Sequence, residues 1–160
     1  DKWGDLREFN KVLEFPQAFY FNDFIYVVGK IVSVAQVYRY DLKNNDLKKF
    51  EDLHRPLKNI EDGCSAVLYK KSIYYCTRNN MNIFDLEKHE WTTYPSKERY
   101  NFDFPQLFEH DDQIYITGGM GRTGAQANIR MFCPQTFNWS EANFKLPYPA
   151  RGHSIAVWNM

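Results

Sequence analysis

A glycine-rich segment is the part of the sequence that comes nearest to a known chemical motif. Gly119, Gly121 and Gly124 have the Gly-x-Gly-x-x-Gly spacing and follow an apolar run. In dinucleotide-binding proteins such glycines open a helix whose N-terminus holds a pyrophosphate. Here an aromatic strand pattern follows too soon for a helix, and Ala125-Gln126 stands where a phosphate-binding loop has Lys-Ser or Lys-Thr. The segment therefore predicts a loop between two strands and no cofactor site. At the end of the preceding strand, at least one of Gly118 and Gly119 is expected to hold a backbone conformation that a side chain would resist.

The titratable side chains form no pattern that predicts catalysis or metal binding. No pair of the four histidines has metal-ligand spacing, and no Gly-x-Ser-x-Gly or Cys/His pairing indicates a nucleophile. We therefore expect no catalytic residue, no metal ligand and no cofactor. Three scattered cysteines, an odd number, suit a reducing compartment and predict a cytoplasmic protein. These residues are His54, His89, His110, His153, Cys64, Cys76 and Cys133.

Length and charge restrict the class of protein further. The 160 residues are enough for one domain with a sizeable core, and 20 acidic residues balance 20 basic ones. This balance argues against a nucleic-acid-binding surface, which usually carries a basic excess. No apolar run approaches the ~20 residues of a membrane helix, so no membrane insertion is expected. The aromatic content of 18% is typical of many half-buried strands.

The chain repeats itself at intervals of 41 to 48 residues. Ile-Tyr pairs occur at Ile25, Ile73 and Ile114, each in an apolar run. Self-similarity at this period indicates a repeat architecture. A second set of positions, each opening the first strand of a repeat, has intervals of 48, 41 and 48: Gln17, Ser65, Gln106 and Ser154.

Each repeat predicts four short strands and no helix. Short polar turns join the first two strands, which indicates antiparallel hairpins. The third strand ends in an aromatic residue, and a large aromatic opens the fourth. Because one small sheet cannot bury both of its faces, neighbouring sheets must stack, as the blades of a β-propeller do. The third-strand landmarks are Tyr40-Asp41, Phe84-Asp85 and Phe132-Cys133, and the fourth-strand landmarks are Trp3, Phe50, Trp91 and Trp139.

With these landmarks the pattern resembles the kelch repeat, which has a Gly-Gly after a strand, then Tyr-Asp, then Trp. The third repeat matches best, with Gly118-Gly119, Trp139 and an Arg-x-His at Arg151 and His153. The second repeat keeps Phe84-Asp85 and Trp91, and the first keeps only Gly29 of the glycine pair, with Tyr40-Asp41. The resemblance implies an all-β, kelch-type β-propeller with three four-stranded antiparallel blades in an incomplete ring.

Three blades are fewer than the four to eight that close a ring. We therefore expect a piece of a larger propeller, or two such chains completing a six-bladed ring, and no stable closed monomer. The expected units are a last strand of a preceding blade (1–14), three repeats (15–62, 63–103 and 104–149) and a first strand of a following blade (150–160).

The loops carry the functional expectation. In this register the connections between strands two and three and those between blades emerge on one face, where the resemblance implies that protein partners dock. The tryptophans could stack bases or sugars, but their fixed place in the repeat favours packing between blades, so we expect Trp91 and Trp139 to be largely buried. We expect an interaction module or scaffold; the alternatives are part of a kelch-propeller enzyme (oxidase or sugar isomerase type), with active-site residues partly outside this segment, or a purely architectural component. Arg and Tyr on rigid loops are favoured contacts, and the candidates are Arg55, Arg78, Asn80, Arg99, Tyr100, Arg122, Tyr148 and Arg151, with Lys30 on a related loop.

Overall fold

The computed structural model describes residues 12–44, 46–49, 57–60, 63–96 and 103–156. Every regular element in these ranges is a β-strand, and the strands form three antiparallel sheets. The all-β prediction is therefore confirmed. Within the described ranges no helix has the length and apolar character needed to span a bilayer. The chain divides into two compact units, 1–60 and 61–160.

The first unit holds sheet one, whose first four strands pair in chain order while a short fifth strand pairs with the third. Its first hairpin turns at Asn22 and Asp23, which both have positive φ, as the favoured two-residue hairpin turns require. The strands are β1 (Glu14–Phe21), β2 (Phe24–Ile31), β3 (Val34–Asp41), β4 (Asp46–Lys49) and β5 (Leu57–Lys58).

The second unit holds two sheets. Sheet two pairs in chain order and comprises β6 (Ser65–Tyr69), β7 (Ser72–Thr77), β8 (Asn80–Asp85) and β9 (Glu90–Pro95). In sheet three, β11 pairs with β10 and β13, and the long β13 also pairs with β12 and β14. Its strands are β10 (Gln106–His110), β11 (Gln113–Thr117), β12 (Met120–Gly121), β13 (Gly124–Cys133) and β14 (Asn138–Ala150).

The first three strands pair in the same register in all three sheets, as the alignment of Gln17, Ser65 and Gln106 predicted. The isoleucine of each Ile-Tyr pair lies opposite the aromatic residue that ends the third strand: Ile25 with Tyr40, Ile73 with Phe84 and Ile114 with Phe132. The next strand places Trp91 and Trp139 opposite Phe84 and Phe132.

Sheet one departs from the predicted register in its fourth strand. Leu47 lies opposite Tyr40, at the position that Trp91 and Trp139 take in the other sheets. The prediction had given this position to Phe50, which is outside the described residues, because aromatic type was used as the landmark. The backbone pairing places the equivalent residue three positions earlier.

A residue with a left-handed backbone stands two positions before each of the aligned residues Gln17, Ser65, Gln106 and Ser154. Phe15, Gly63, Phe104 and Gly152 have φ angles of 52, 75, 59 and 57°. Within the second unit these positions are linked directly: the Phe104 N–H donates to the Gly63 carbonyl at 2.9 Å, and the Gly152 N–H donates to the Phe104 carbonyl at 3.0 Å. Consecutive repeats therefore meet through equivalent backbone atoms.

The core of the second unit lies between the facing sides of sheets two and three. Tyr74, Met81 and Ile83 of sheet two pack with Ile114 and Phe132 of sheet three. Met81, Ile114 and Phe132 are completely buried. Phe132 and Trp139 belong to the side of sheet three that faces sheet two. Their equivalents in sheet two, Phe84 and Trp91, belong to the side of sheet two that faces away from sheet three, because side chains alternate along each strand.

Each repeat tryptophan packs on the aromatic residue opposite it in its own sheet and is only partly buried. The ring centroids of Phe84 and Trp91 are 5.1 Å apart, and those of Phe132 and Trp139 are 5.3 Å apart. We had expected largely buried rings; both tryptophans lie on outer strands, where one flank of the ring stays accessible.

The two ends of the chain lie largely outside the described ranges. Residues 1–11, with Trp3, are not described, and neither are 157–160. Of the predicted final strand, Ile155 and Ala156 are described and are not in a strand.

Candidate functional site

Five of the eight predicted contact residues lie at one end of sheets two and three. This end, called the loop end below, comprises the β7–β8 turn with the start of β8, the β12–β13 hairpin, the last residues of β14 and the segment after β14. It holds Arg78, Asn80, Arg122, Tyr148 and Arg151. The other three, Arg55, Arg99 and Tyr100, are outside the described residues.

An ion pair fixes the β7–β8 turn to the chain that enters sheet three. The Arg78 guanidinium donates to both carboxylate oxygens of Asp103, with two distances of 2.8 Å and one of 3.1 Å. Asp103 also exchanges two backbone hydrogen bonds with Met120, at 2.6 and 3.1 Å. Since a bidentate pair restricts both side chains, the loop end is held in one arrangement across the two sheets.

The outward-facing candidates differ from Arg78 in exposure. Arg122 at the β12–β13 turn and Arg151 after β14 are exposed. Tyr148, which the sequence placed on a loop, lies in β14 and is 70% exposed. Asn80 is half-buried at the start of β8, and its carbonyl accepts a hydrogen bond from the Thr77 hydroxyl at 3.4 Å. Arg122, Tyr148 and Arg151 are therefore available for contact, whereas Asn80 supports the turn.

Lys30 of the first unit was placed on a loop by the sequence register, and this prediction is wrong. It is the seventh residue of β2 and is 3% exposed. Its ammonium lies 2.9 Å from the Glu14 carboxylate, so the buried charge is compensated. The lysine is a structural residue of sheet one.

The glycine-rich segment is not helical, as predicted, but it forms a short β-hairpin where a loop was expected. Met120 and Gly121 pair with Ala125 and Gly124 across a short hairpin. The helix that a pyrophosphate site requires is replaced by β13.

Gly118 and Gly119 leave β11 with φ angles of 59 and 97°, which confirms the prediction that this pair needs glycine. The Gly119 N–H donates to the Ala150 carbonyl at 2.8 Å, and a Cβ on Gly118 would lie 2.4 Å from that same oxygen. The glycines therefore allow the end of β14 to approach β11.

His153, in the Arg-x-His position, packs at this junction. Its Nε2 lies 2.9 Å from the Thr117 hydroxyl, and its Nδ1 is buried. Burial lowers the pKa of His153 below its usual value, because desolvation disfavours the imidazolium. The neutral ring packs at the end of sheet three. This is the structural role that the sequence analysis favoured for His153.

A small pocket lies between sheets two and three, next to the Arg78–Asp103 pair. Sheet two contributes Cys76, Arg78 and Ser96, and sheet three contributes Ile116, Arg130 and Trp139. Its enclosed part has about the room of one water molecule. Burial raises the pKa of the Cys76 thiol to about 12, so this wall of the pocket is uncharged.

Sequence reasoning did not find this pocket. Ser96 and Arg130 belong to no motif, and Trp139 was identified only as a packing residue. Their proximity depends on how two sheets face each other, which the residue types do not encode. The repeated tryptophan was the single signal that pointed to this region.

Among the described residues no group of three or more His, Cys, Asp or Glu is arranged to hold a metal ion. Comparison of the sequence with protein-family models finds no match, and no curated protein matches it.

Proposed function

We propose that the protein is a kelch-type β-propeller segment that binds a protein partner through the loop end. The observation that carries this proposal is the combination of exposed Arg122, Tyr148 and Arg151 at one end of two sheets with an ion pair that joins those sheets at the same end. Arginine and tyrosine dominate the energy of many protein interfaces, and loops on rigid sheets commonly carry recognition.

The repeat architecture supports the same proposal. Each sheet carries equivalent pairs of residues, and loop ends of consecutive repeats are joined by backbone hydrogen bonds between Gly63, Phe104 and Gly152. A row of loops held at equivalent positions forms an extended surface. The landmarks that resemble kelch repeats lie in these same strands and turns.

Site-specific photo-crosslinking in cells tests the proposal. A photoreactive phenylalanine analogue placed at Tyr148 or Arg122 should crosslink to a partner protein. The matched control is Lys88, which is also exposed but lies in the β8–β9 turn at the opposite end of sheet two. Crosslinks of equal yield from Lys88, or none from either loop-end position, would contradict the proposed surface.

Charge reversal provides a second measurement on the captured partner. Arg122→Glu should weaken binding about tenfold or more, as expected for an interface arginine. Lys88→Glu changes the net charge equally and should leave binding unchanged. The same loss from both variants would mean that overall charge, and not the loop end, determines binding.

A further inference from the structure

The exposed charged residues of the second unit are distributed unevenly between its two ends. The end opposite the loop end, called the turn end below, comprises the β6–β7, β8–β9, β10–β11 and β13–β14 turns with the strand residues next to them. Acidic residues outnumber basic ones at the turn end. Its exposed acidic residues are Glu87, Glu90, Glu109, Asp111 and Asp112, and its exposed basic residues are Lys70, Lys71 and Lys88.

Two of the three turn-end lysines are already matched by these carboxylates. The Lys71 ammonium lies 2.6 Å from the Glu87 carboxylate, and the Lys70 ammonium lies 3.2 Å from the Asp112 carboxylate. The remaining carboxylates therefore leave the turn end with an excess of negative charge.

The loop end has the opposite charge. Arg122, Lys145 and Arg151 are exposed, and none of them has an ion-pair partner among the described residues. Lys145 belongs to this end because it lies opposite Asn128, whose carbonyl accepts a hydrogen bond from the Gly118 N–H at 3.2 Å. Three basic side chains are thus presented to solvent at the end that carries the predicted contact residues.

The carboxylates described on the same side of the unit are occupied by other partners. Asp103 is held by both ends of the Arg78 guanidinium, and Glu141 lies 4.0 Å from the buried Arg130. Residues 97–102, outside the described ranges, add two basic residues and one acidic residue to the sequence. Within the described part of the unit, the positive charge of the loop end is therefore available to a ligand.

A patch of one sign attracts a ligand of the other sign, and a guanidinium group can bind a carboxylate through two parallel hydrogen bonds. We propose that the loop end binds an acidic segment of the partner protein, whose carboxylates meet Arg122 and Arg151. A short segment fits this charge distribution better than a nucleic acid does, because the acidic turn end repels a long polyanion. The inference rests on the proposed function and adds the chemistry of the partner.

The first test uses a defined probe and does not require the partner. Hexaglutamate is titrated into the ¹⁵N-labelled protein while the backbone amide signals are followed by NMR. The signals of Arg122 and Arg151 should shift and saturate, whereas that of Lys88 should not. Added salt should weaken the response, because exposed charges are screened.

A single-stranded DNA hexamer is the second probe and tests for nucleic-acid binding. Hexaglutamate should bind more tightly than the DNA. No shift at Arg122 and Arg151, an equal shift at Lys88, or tighter binding of the DNA would overturn the proposal.

Neutral variants test the two arginines. Arg122→Gln and Arg151→Gln should each weaken hexaglutamate binding about twofold to fivefold, as expected for the loss of one exposed ion pair. Lys88→Gln removes the same charge at the turn end and should leave binding unchanged. All three side chains are exposed, so the variants should keep the fold, which the dispersion of the NMR signals verifies. An equal loss from Lys88→Gln would show that overall charge determines binding and would overturn the proposal.

Binding of the captured partner separates this inference from the proposed function. If hexaglutamate displaces the partner from the loop end, both are supported. If Arg122→Glu lowers partner affinity but hexaglutamate does not displace the partner, the loop end binds through other chemistry and the inference fails. If no partner is crosslinked while hexaglutamate still saturates the Arg122 and Arg151 signals, the proposed function fails and the site for an acidic segment stands.

Discussion

At the scale of single residues, two glycines with a left-handed backbone differ in whether a side chain would also meet a steric clash. Gly118 and Gly152 have nearly equal φ angles of 59 and 57°. A Cβ on Gly118 would lie 2.4 Å from the Ala150 oxygen and 2.8 Å from His153 Cε1, whereas a Cβ on Gly152 would meet nothing within 4 Å.

The two glycines therefore make a matched pair for mutation. Gly152→Ala should lower the free energy of unfolding by about 1 kcal/mol, because only backbone strain is added. Gly118→Ala adds a steric overlap and should cost about 1–3 kcal/mol more. Urea denaturation measures both free energies of unfolding. Equal decreases for the two variants would contradict the predicted steric clash between residue 118 and the end of β14.

Cys133 takes the place of a turn-forming aspartate. Asp85, at the equivalent position of sheet two, accepts backbone hydrogen bonds from Glu87 and Lys88, both at 2.8 Å. In the Cys133 turn, a hydrogen bond from the Thr136 side chain and others from backbone N–H groups lower the pKa of the thiol to about 7. A turn built to hold a carboxylate also stabilises a thiolate.

This difference predicts selective alkylation. Cys133 should react with iodoacetamide at a rate that rises with pH and is half-maximal near pH 7, because the thiolate is the nucleophile. Cys76, buried and with a pKa of about 12, should stay unmodified in the folded protein. Thr136→Ala should move the Cys133 midpoint upward, as followed by mass spectrometry. A midpoint near pH 9 in the protein that retains Thr136 would contradict the lowered pKa of Cys133.

At the scale of elements, pairs of aromatic residues on adjacent strands stabilise each sheet. Phe132 is completely buried and packs on Trp139 across β13 and β14. Phe84 and Trp91 repeat the arrangement across β8 and β9. Each pair combines apolar burial with a favourable ring geometry.

A double-mutant cycle tests the Phe132–Trp139 pair. Phe132→Ala should lower the free energy of unfolding by about 3–5 kcal/mol, and Trp139→Ala by less, because its ring is only partly buried. The coupling energy should be about 0.5–1.5 kcal/mol. Phe132 and Trp91 lie in different sheets and serve as the control, with additive effects expected. Additivity for the first pair would contradict the packing.

At the scale of the whole chain, one side of sheet three differs from its equivalent in sheet two. Val67, Tyr74 and Ile83 of sheet two belong to the core shared with sheet three. The equivalent residues of sheet three are Phe108, Tyr115 and Met131, which are only partly buried. The Phe108 and Tyr115 rings stack 4.8 Å apart.

We expect this side of sheet three to associate with a second copy of the chain. Light scattering after size-exclusion chromatography should show a mass that rises with concentration, because exposed sheet faces and edges promote pairing. Tyr115→Lys should shift the species toward monomer, whereas Thr92→Lys, at an exposed position of β9, should not. A concentration-independent monomer with one sharp unfolding transition would contradict both this association and the expected incomplete ring.

Local sequence determined the strands, the turns and the register of the repeats, since alternation, turn residues and spacing act within a few residues. It predicted the equivalent places of Trp91 and Trp139 in consecutive sheets and a backbone conformation at Gly118-Gly119 that a side chain would resist. It placed Phe50 and Lys30 incorrectly, because aromatic or charged type alone does not fix strand pairing or burial. Only the tertiary structure decided the Arg78–Asp103 pair and the pocket of Ser96 and Trp139, because those contacts join residues far apart in sequence and depend on how one sheet faces another.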